Sequence, residues 1–361
     1  MSEVYLENIT KVFPKPRTVA VDGVTLSFDR GKTSCLLGPS GCGKTTTLRI
    51  IGGLISPTKG DVYFDGEKVT KLPPHKRNVG MVFQFAVVYD SMKIYDNLAI
   101  PLKSLNHAKS EIDKSVKEIA TMLGLAEILD DYPFKFDVGI RQRISLARAL
   151  IKKPKLLLLD EPLTNLDPLS RIRLRFELKR LQREWSQTII YVTHDQSEAL
   201  TLGDKIAIMN LGRVVQYDTP DNIYDKPSQT FCASFVGNPP MNLIEASIER
   251  TDGKLYLIID SERLDISKLT SVLEKRSKVM VGIRPEHIEV FEKAREGAFK
   301  RKINVVELLG NNILLNFELG GKNIKAKTST RLELREGGEA WFHFKDDKLR
   351  FFDPITNTLL T

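Results

Sequence analysis

Apolar and polar positions change rhythm several times along this chain. Up to about residue 84 the apolar residues come in short runs, broken by turn signals at Asp22-Gly23, Asp29-Arg-Gly31 and Asp65-Gly66, which predicts short strands. One run, Ser34-Cys-Leu-Leu37, leads through a glycine-rich loop into a helix with Leu48, Ile50 and Ile51 in step. From about 85 to 152 the period turns helical, with Ile112, Val116, Ile119 and Leu123 recurring among charged residues. Strand and helix then alternate from 153 to 230. Lys155-Leu-Leu-Leu-Leu-Asp-Glu161 is apolar at successive positions, as a parallel strand buried on both faces must be. Leu178, Leu181 and Trp185 share one face of a charged helix, and the strand Thr188-Ile-Ile-Tyr-Val192 follows it.

Near Gly237-Asn-Pro-Pro-Met-Asn242 the helices stop. Leu255-Tyr-Leu-Ile-Ile, Val279-Met-Val-Gly-Ile, Ile313-Leu-Leu-Asn-Phe, Trp341-Phe-His-Phe and Leu349-Arg-Phe-Phe are separated by Asp252-Gly253, Gly320-Gly321, Gly337-Gly338 and Asp346-Asp347. Short runs with tight turns predict a small antiparallel barrel. The expected organisation is an α/β domain over 1–235, with a helical subdomain at about 85–152, followed by an all-β barrel domain over 236–361.

Composition narrows the picture. Among 361 residues, 42% hydrophobic and 28% charged describe an ordinary globular chain. No apolar run approaches the roughly 18 residues that a membrane span needs. Met1-Ser-Glu-Val-Tyr-Leu lacks the basic and apolar regions of a secretion signal. Cys35, Cys42 and Cys232 have no zinc-like spacing and suit a reducing compartment. The net charge of +8 raises nucleic acid as a partner, but no helix interleaves basic and aromatic residues, so none is expected. The densest basic stretch, Lys293 to Lys302, includes acids and a glycine and reads as a solvated loop.

The chemistry begins at Gly38-Pro-Ser-Gly-Cys-Gly-Lys-Thr45, a complete G-x-x-x-x-G-K-[ST] loop between a strand and a helix. Backbone amides from Ser40, Gly41, Cys42 and Gly43 through Lys44, Thr45 and Thr46 can wrap a phosphate at the helix N-terminus. Lys44 reaches the β- and γ-phosphates, and the Thr45 hydroxyl can ligate Mg²⁺. Asp160, at a strand end, is placed to hold the same ion, and Glu161 to orient or deprotonate an attacking water.

With these residues in order, the chain resembles the ATP-binding subunits of ABC transporters, of the importer type related to carbohydrate uptake. Met81-Val-Phe-Gln84 resembles the family's Q-loop, whose glutamine touches Mg²⁺ and the lytic water. Leu163-Thr-Asn-Leu-Asp167 resembles the D-loop, and Tyr191-Val-Thr-His194 the switch histidine that contacts the γ-phosphate. Phe13 stands where an aromatic ring stacks on adenine. Ile283-Arg-Pro-Glu-His287 resembles a motif of the C-terminal OB-like regulatory (TOBE) domain, with His287 read as structural. The resemblance implies a P-loop ATPase using ATP and Mg²⁺, working peripherally at the cytoplasmic membrane face with transmembrane permease subunits. An extracytoplasmic binding protein acts indirectly, a sugar or polyol is the family-level solute, and residues Phe85 to Asn97 line a docking groove. A non-transport ABC ATPase and a non-hydrolysing regulatory subunit are the alternatives.

One motif departs from the family. Where the signature Leu-Ser-Gly-Gly-Gln is expected, the chain reads Phe136-Asp-Val-Gly-Ile140, aligned by the following Arg141-Gln-Arg143. Asp137 replaces serine, Val138 a glycine, Gly139 survives, and Ile140 replaces glutamine. Asp137 can cap the next helix with its own carboxylate. It then puts negative charge where the signature meets a γ-phosphate. At roughly 4 Å that repulsion is about 1 kcal/mol in water and about 4 kcal/mol at an effective dielectric near 20. Val138 crowds the same approach. In the family each signature faces the other subunit's phosphate loop. The expected dimer is therefore heteromeric, pairing this chain with a second ABC ATPase subunit, and a slow homodimer is the alternative.

Overall fold

Two antiparallel strands, β1 (Val4–Pro14) and β2 (Arg17–Phe28), open the computed structural model, which describes residues 3–267, 273, 276–329 and 332–360. They are longer than the turn signals suggested. Asp22-Gly23 does not end a strand but bulges within β2: Ile9 pairs with Val24 while Lys11 pairs with Val21, and Gly23 takes φ +63°. The Gly23 amide donates to Thr10 Oγ1 at 3.1 Å, so the extra residues keep a partner. With β4 (Lys59–Phe64) and β5 (Glu67–Lys68) these strands form a sheet ordered β2-β1-β4-β5. The β4–β5 turn at Asp65-Gly66 has both residues at positive φ, as a tight hairpin requires.

The second sheet positions the site. Its members are β3 (Thr33–Leu37), β6 (Val79–Val82), β7 (Leu156–Asp160), β8 (Thr188–Thr193), β9 (Lys205–Asn210) and β10 (Arg213–Asp218), in the order β10-β9-β3-β8-β7-β6. Strands β3, β6, β7, β8 and β9 are parallel. Every residue of β3, β7 and β8 is buried, which explains their unbroken apolar runs. Leu37 pairs with Thr193, and Asp160 with Val192. The carboxyl ends of three adjacent strands therefore lie side by side, and the residues just beyond them converge.

Helices flank this frame: α1 (Lys44–Ile51), α2 (Ile94–Lys103), α3 (Lys109–Met122), α4 (Val138–Leu150), α5 (Pro168–Trp185) and α6 (Gln196–Leu202). The segment expected to be helical holds α2, α3 and α4, and Ile112, Val116, Ile119 and Leu123 are buried. Helix α5 buries Leu174, Leu178 and Leu181. Among the described residues no helix is long and apolar enough to cross a membrane.

The chain divides at Pro220/Asp221, within α7 (Pro220–Asp225), rather than at 235/236. The reason is packing that sequence patterning does not display. Ala233, in α8 (Thr230–Phe235), clusters with Met241 and Phe352, and the Thr230 amide donates to Asn357 O at 2.9 Å. The rest of this unit is all β. Strands β11 (Asn242–Thr251), β12 (Lys254–Ile259), β13 (Glu262–Asp265), β14 (Lys278–Ile283) and β20 (Arg350–Phe352) form one antiparallel sheet. Strands β15 (Ile288–Phe291), β16 (Phe299–Leu309), β17 (Asn312–Leu319), β18 (Lys322–Ser329) and β19 (Glu339–Phe344) form the other. Phe299, Phe317, Phe342 and Phe344 fill the core between them, Phe317 stacking on Phe342 at 3.9 Å. Asp346-Asp347 begins a short 3-10 helix rather than a simple turn. Arg284 is almost fully buried, stacked on Tyr224 at 3.9 Å and donating to Tyr224 O at 2.7 Å and to Val236 O. It clamps α7 and α8 to the barrel, which gives the Arg-Pro-Glu-His motif a structural task.

Candidate active site at the carboxyl ends of the central strands

The loop after β3 has room for little but glycine. A Cβ at Gly38 would sit 2.3 Å from Met209 O, and one at Gly43 would sit 2.2 Å from Ala20 O with φ at +103°. At Gly41 the reverse holds: φ is +78° and a Cβ would meet nothing within 4 Å, so that part of the loop faces open space. Lys44 starts α1, is nearly buried, and donates to Gly38 O at 2.8 Å and Pro39 O at 2.9 Å. Those partners are neutral carbonyls. A buried ammonium beside a helix N-terminus, with only carbonyl dipoles around it, fits an anion. Cys42 is buried inside the loop, where desolvation pushes its thiol above the usual range against the lowering effect of Lys44.

Two carboxylates follow β7 and take different environments. Asp160 is buried and accepts from Thr45 Oγ1 at 2.8 Å, with Arg49 at 3.9 Å. Burial raises its carboxyl above the ordinary value, and the Thr45 hydrogen bond and Arg49 pull it back. Glu161 adopts φ +47°, an uncommon left-handed conformation for a side chain of this size. Its amide is held by Val192 O at 3.0 Å. That turn directs Oε2 to His194 Nδ1 at 3.0 Å and to Thr164 Oγ1 at 3.2 Å. His194 is half exposed and Glu161 mostly covered.

The other expected site residues make separate contacts. Asn165 donates to Gln84 O at 3.2 Å, and the buried Gln142 donates to Phe83 O at 3.3 Å, so two side-chain amides hold the chain around Gln84. Asp167 caps α5 by accepting from Leu169 N and Ser170 N. Asp137 caps α4, its Oδ1 accepting from Ile140 N at 2.9 Å. Asp137 and Val138 are exposed, whereas Gly139 is buried near Ser170. Phe13 is partly exposed on the β1–β2 hairpin, with the Lys11 ammonium 5.2 Å from its ring centre. The same hairpin reaches the phosphate loop through Ala20, which abuts Gly43.

Residues 21–164 match the ABC transporter family, 237–288 the MalK OB fold domain and 281–352 the TOBE domain. The trehalose/maltose import ATP-binding protein MalK of Thermococcus litoralis is 40% identical, over 99% of each chain. The oligosaccharides import ATP-binding protein MsmX of Bacillus subtilis is 38% identical, again over 99% of each. This chain belongs to the ABC transporter ATPases.

Solved structures agree for the N-terminal unit of this ABC ATPase. A dimeric ATP-binding cassette in a post-hydrolysis state, bound to ADP and Pi, has a TM-score of 0.55 and 30% identity. It covers 60% of this chain and 98% of its own. The cbiO1 protein of Clostridium perfringens, part of the ABC transporter complex cbiONQ, gives 0.57 and 26%, over 61% and 89%. The open glycine loop and carbonyl-held Lys44 suit the nucleotide phosphates that the family binds.

Asn97, expected only as one end of a docking groove, organises the loop before it. Fully buried in α2, it accepts from Tyr89 N at 2.8 Å and donates to Tyr89 O, Met92 O and Lys93 O at 2.9–3.1 Å. It moulds the segment that exposes Phe85, Val87, Tyr89 and Met92. An asparagine in an otherwise apolar helical stripe was the available signal. Gln142 had served only to anchor the signature alignment.

Proposed function

We propose that this chain hydrolyses ATP at the inner face of a membrane to drive import of a sugar or related polyol, paired with a second ATPase chain. The observation that carries the reading is the meeting at the strand ends: Thr45 with Asp160, and Glu161 with His194. Lys44 and the loop amides hold the phosphates. Thr45 and Asp160, with Gln84, would hold Mg²⁺, which would supply positive charge against the phosphate oxygens. Among the described residues no group of three or more His, Cys, Asp or Glu could hold a metal ion. Glu161 aligns the attacking water and His194 reaches the γ-phosphate. Glu161→Gln should retain ATP while turnover falls by about 100-fold or more. Unimpaired steady-state hydrolysis would remove Glu161 from the mechanism.

The permease reading is supported by a cleft of about 220 Å³ lined by Leu54, His75, Val79, Met81 and Phe83. The exposed Phe85, Val87, Tyr89 and Met92 follow it in the chain. Relatives named for trehalose/maltose and oligosaccharide import support the solute class.

The heteromeric pairing rests on Asp137. Its carboxylate already occupies the N-terminus of α4, where a facing phosphate would need amide hydrogens. Two copies of this chain pair two such signatures with two sound phosphate loops. A different subunit with an intact signature completes one good site. The test is ATPase of the wild type against the triple variant Asp137→Ser, Val138→Gly, Ile140→Gln. A strong rise in turnover supports borrowing from another subunit; equal rates favour a homodimer.

A further inference from the structure

Helix α6 carries a carboxylate that the proposed chemistry does not use. Glu198 is almost fully buried, and its hydrogen-bond partners are two hydroxyls rather than a cation, with Arg171 acting on it only electrostatically. Its Oε2 accepts from Tyr191 OH and Thr193 Oγ1, both at 2.8 Å. Thr193 Oγ1 in turn accepts from Asp195 N at 2.9 Å. Asp195 caps α6 through Ser197 N at 2.7 Å and Glu198 N at 3.3 Å.

His194 stands between Thr193 and Asp195. The Thr193 hydroxyl spans it, tied below to a buried carboxylate and above to the next amide. With Thr193 also in register with Leu37 at the mouth of the phosphate loop, the backbone of His194 is held on both sides. A carboxylate is a poor choice for filling this space, since leucine or methionine would avoid the desolvation penalty. What the carboxylate supplies is an acceptor able to take two hydroxyl donors at once.

We propose that Glu198, acting through Thr193, is a positioning residue that fixes the direction of the His194 imidazole toward Glu161 and the γ-phosphate. The inference rests on the role assigned to His194 above. A brace of this kind affects the rate at which a bound nucleotide reacts more than the binding of that nucleotide.

The experiment is steady-state ATPase of the full chain, run in whichever of the wild-type and signature-repaired backgrounds turns over faster. Thr193→Val removes the hydroxyl, and Glu198→Met removes the acceptor at similar volume. Each should lower kcat by about tenfold or more while KM for ATP changes less than about twofold. Thr193→Ser and Glu198→Gln keep the hydroxyl and the acceptor and should restore most of the rate, which separates the brace from a folding defect. Combined with His194→Ala, Thr193→Val should cause no further loss, because both changes remove the same contact. Wild-type kcat in both Thr193→Val and Glu198→Met, with His194→Ala impaired, overturns the brace alone. So does a loss that multiplies with that of His194→Ala. Full activity in His194→Ala overturns the reading of the histidine itself, and the brace with it.

Discussion

Lys44 is a buried cation held by neutral groups. Its ammonium is buried among carbonyl oxygens, with Cys42 Sγ 3.8 Å away and no carboxylate in contact. Lys44→Met should keep the apolar stem packed while weakening ATP by about 10- to 100-fold, as loss of a charge-assisted contact implies. Equilibrium titration with a fluorescent ATP analogue reads this directly, and unchanged affinity would refute it. At this scale the linear motif was legible, because its eight positions, Gly38 to Thr45, are contiguous in the chain. Glu161 was legible from its place at the strand end beside Asp160, His194 only by resemblance. Nothing in a Leu run ending in Asp-Glu announces the positive φ that turns Glu161 onto a histidine from the neighbouring strand. Arg284 was seen as part of a motif, yet its burial beneath Tyr224 could not be read from spacing.

At the scale of elements, polar groups buried by tertiary packing escaped the sequence. Strands β7 and β8 and helix α3 were recovered because burial on both faces, or on one stripe, leaves an unmistakable apolar period. The bulge in β2 was misread as a turn, since Asp-Gly serves either purpose and only pairing with β1 decides. Asn97 has the same character: its effect lies in the loop it holds, not in α2. Asn97→Leu should preserve α2 but leave the Tyr89 amide without its partner and remove the side-chain donor from Met92 O, while Tyr89 O and Lys93 O keep the Met92 and Asn97 amides. The expected cost is about 1–3 kcal/mol, visible as a lower urea midpoint. Amide exchange should quicken around Tyr89, whose N–H bonds Asn97 directly. Unchanged protection there would assign the loop's shape to other contacts, such as Arg148 over the Tyr89 ring at 4.4 Å.

The whole molecule divides into two units, and the C-terminal one carries a carboxylate whose contribution depends on pH. In the C-terminal unit Asp353 accepts from the amides of Ile355 and Thr356 and pairs with Arg276 at 2.5 Å. The Thr356 amide first, then Arg276, hold its carboxyl down at about 2. A depressed carboxylate stabilises the fold above its unfolded value near 4 and loses that contribution as pH falls through about 2. Asp353→Asn should therefore lower the Tm of this unit at neutral pH and converge with wild type by about pH 2. A pH-independent gap would mean the residue acts through shape alone. The division into an α/β unit and a β unit was visible in the changing rhythm of the chain, but its edge was not. Helices α7 and α8 read as the end of one unit and pack as the start of the other. The Asp137 cap has a last consequence, which concerns neighbours rather than this chain. Because the carboxylate is satisfied by Ile140 N within its own helix, a molecule carries it without harm to its own fold or its own phosphate loop. In the pairing proposed above, the handicap would fall on the nucleotide that Asp137 faces. Complementation should accordingly be directional. A signature-repaired copy disabled at Lys44 still rescues the wild-type chain, whereas an unrepaired copy with a sound Lys44 does not.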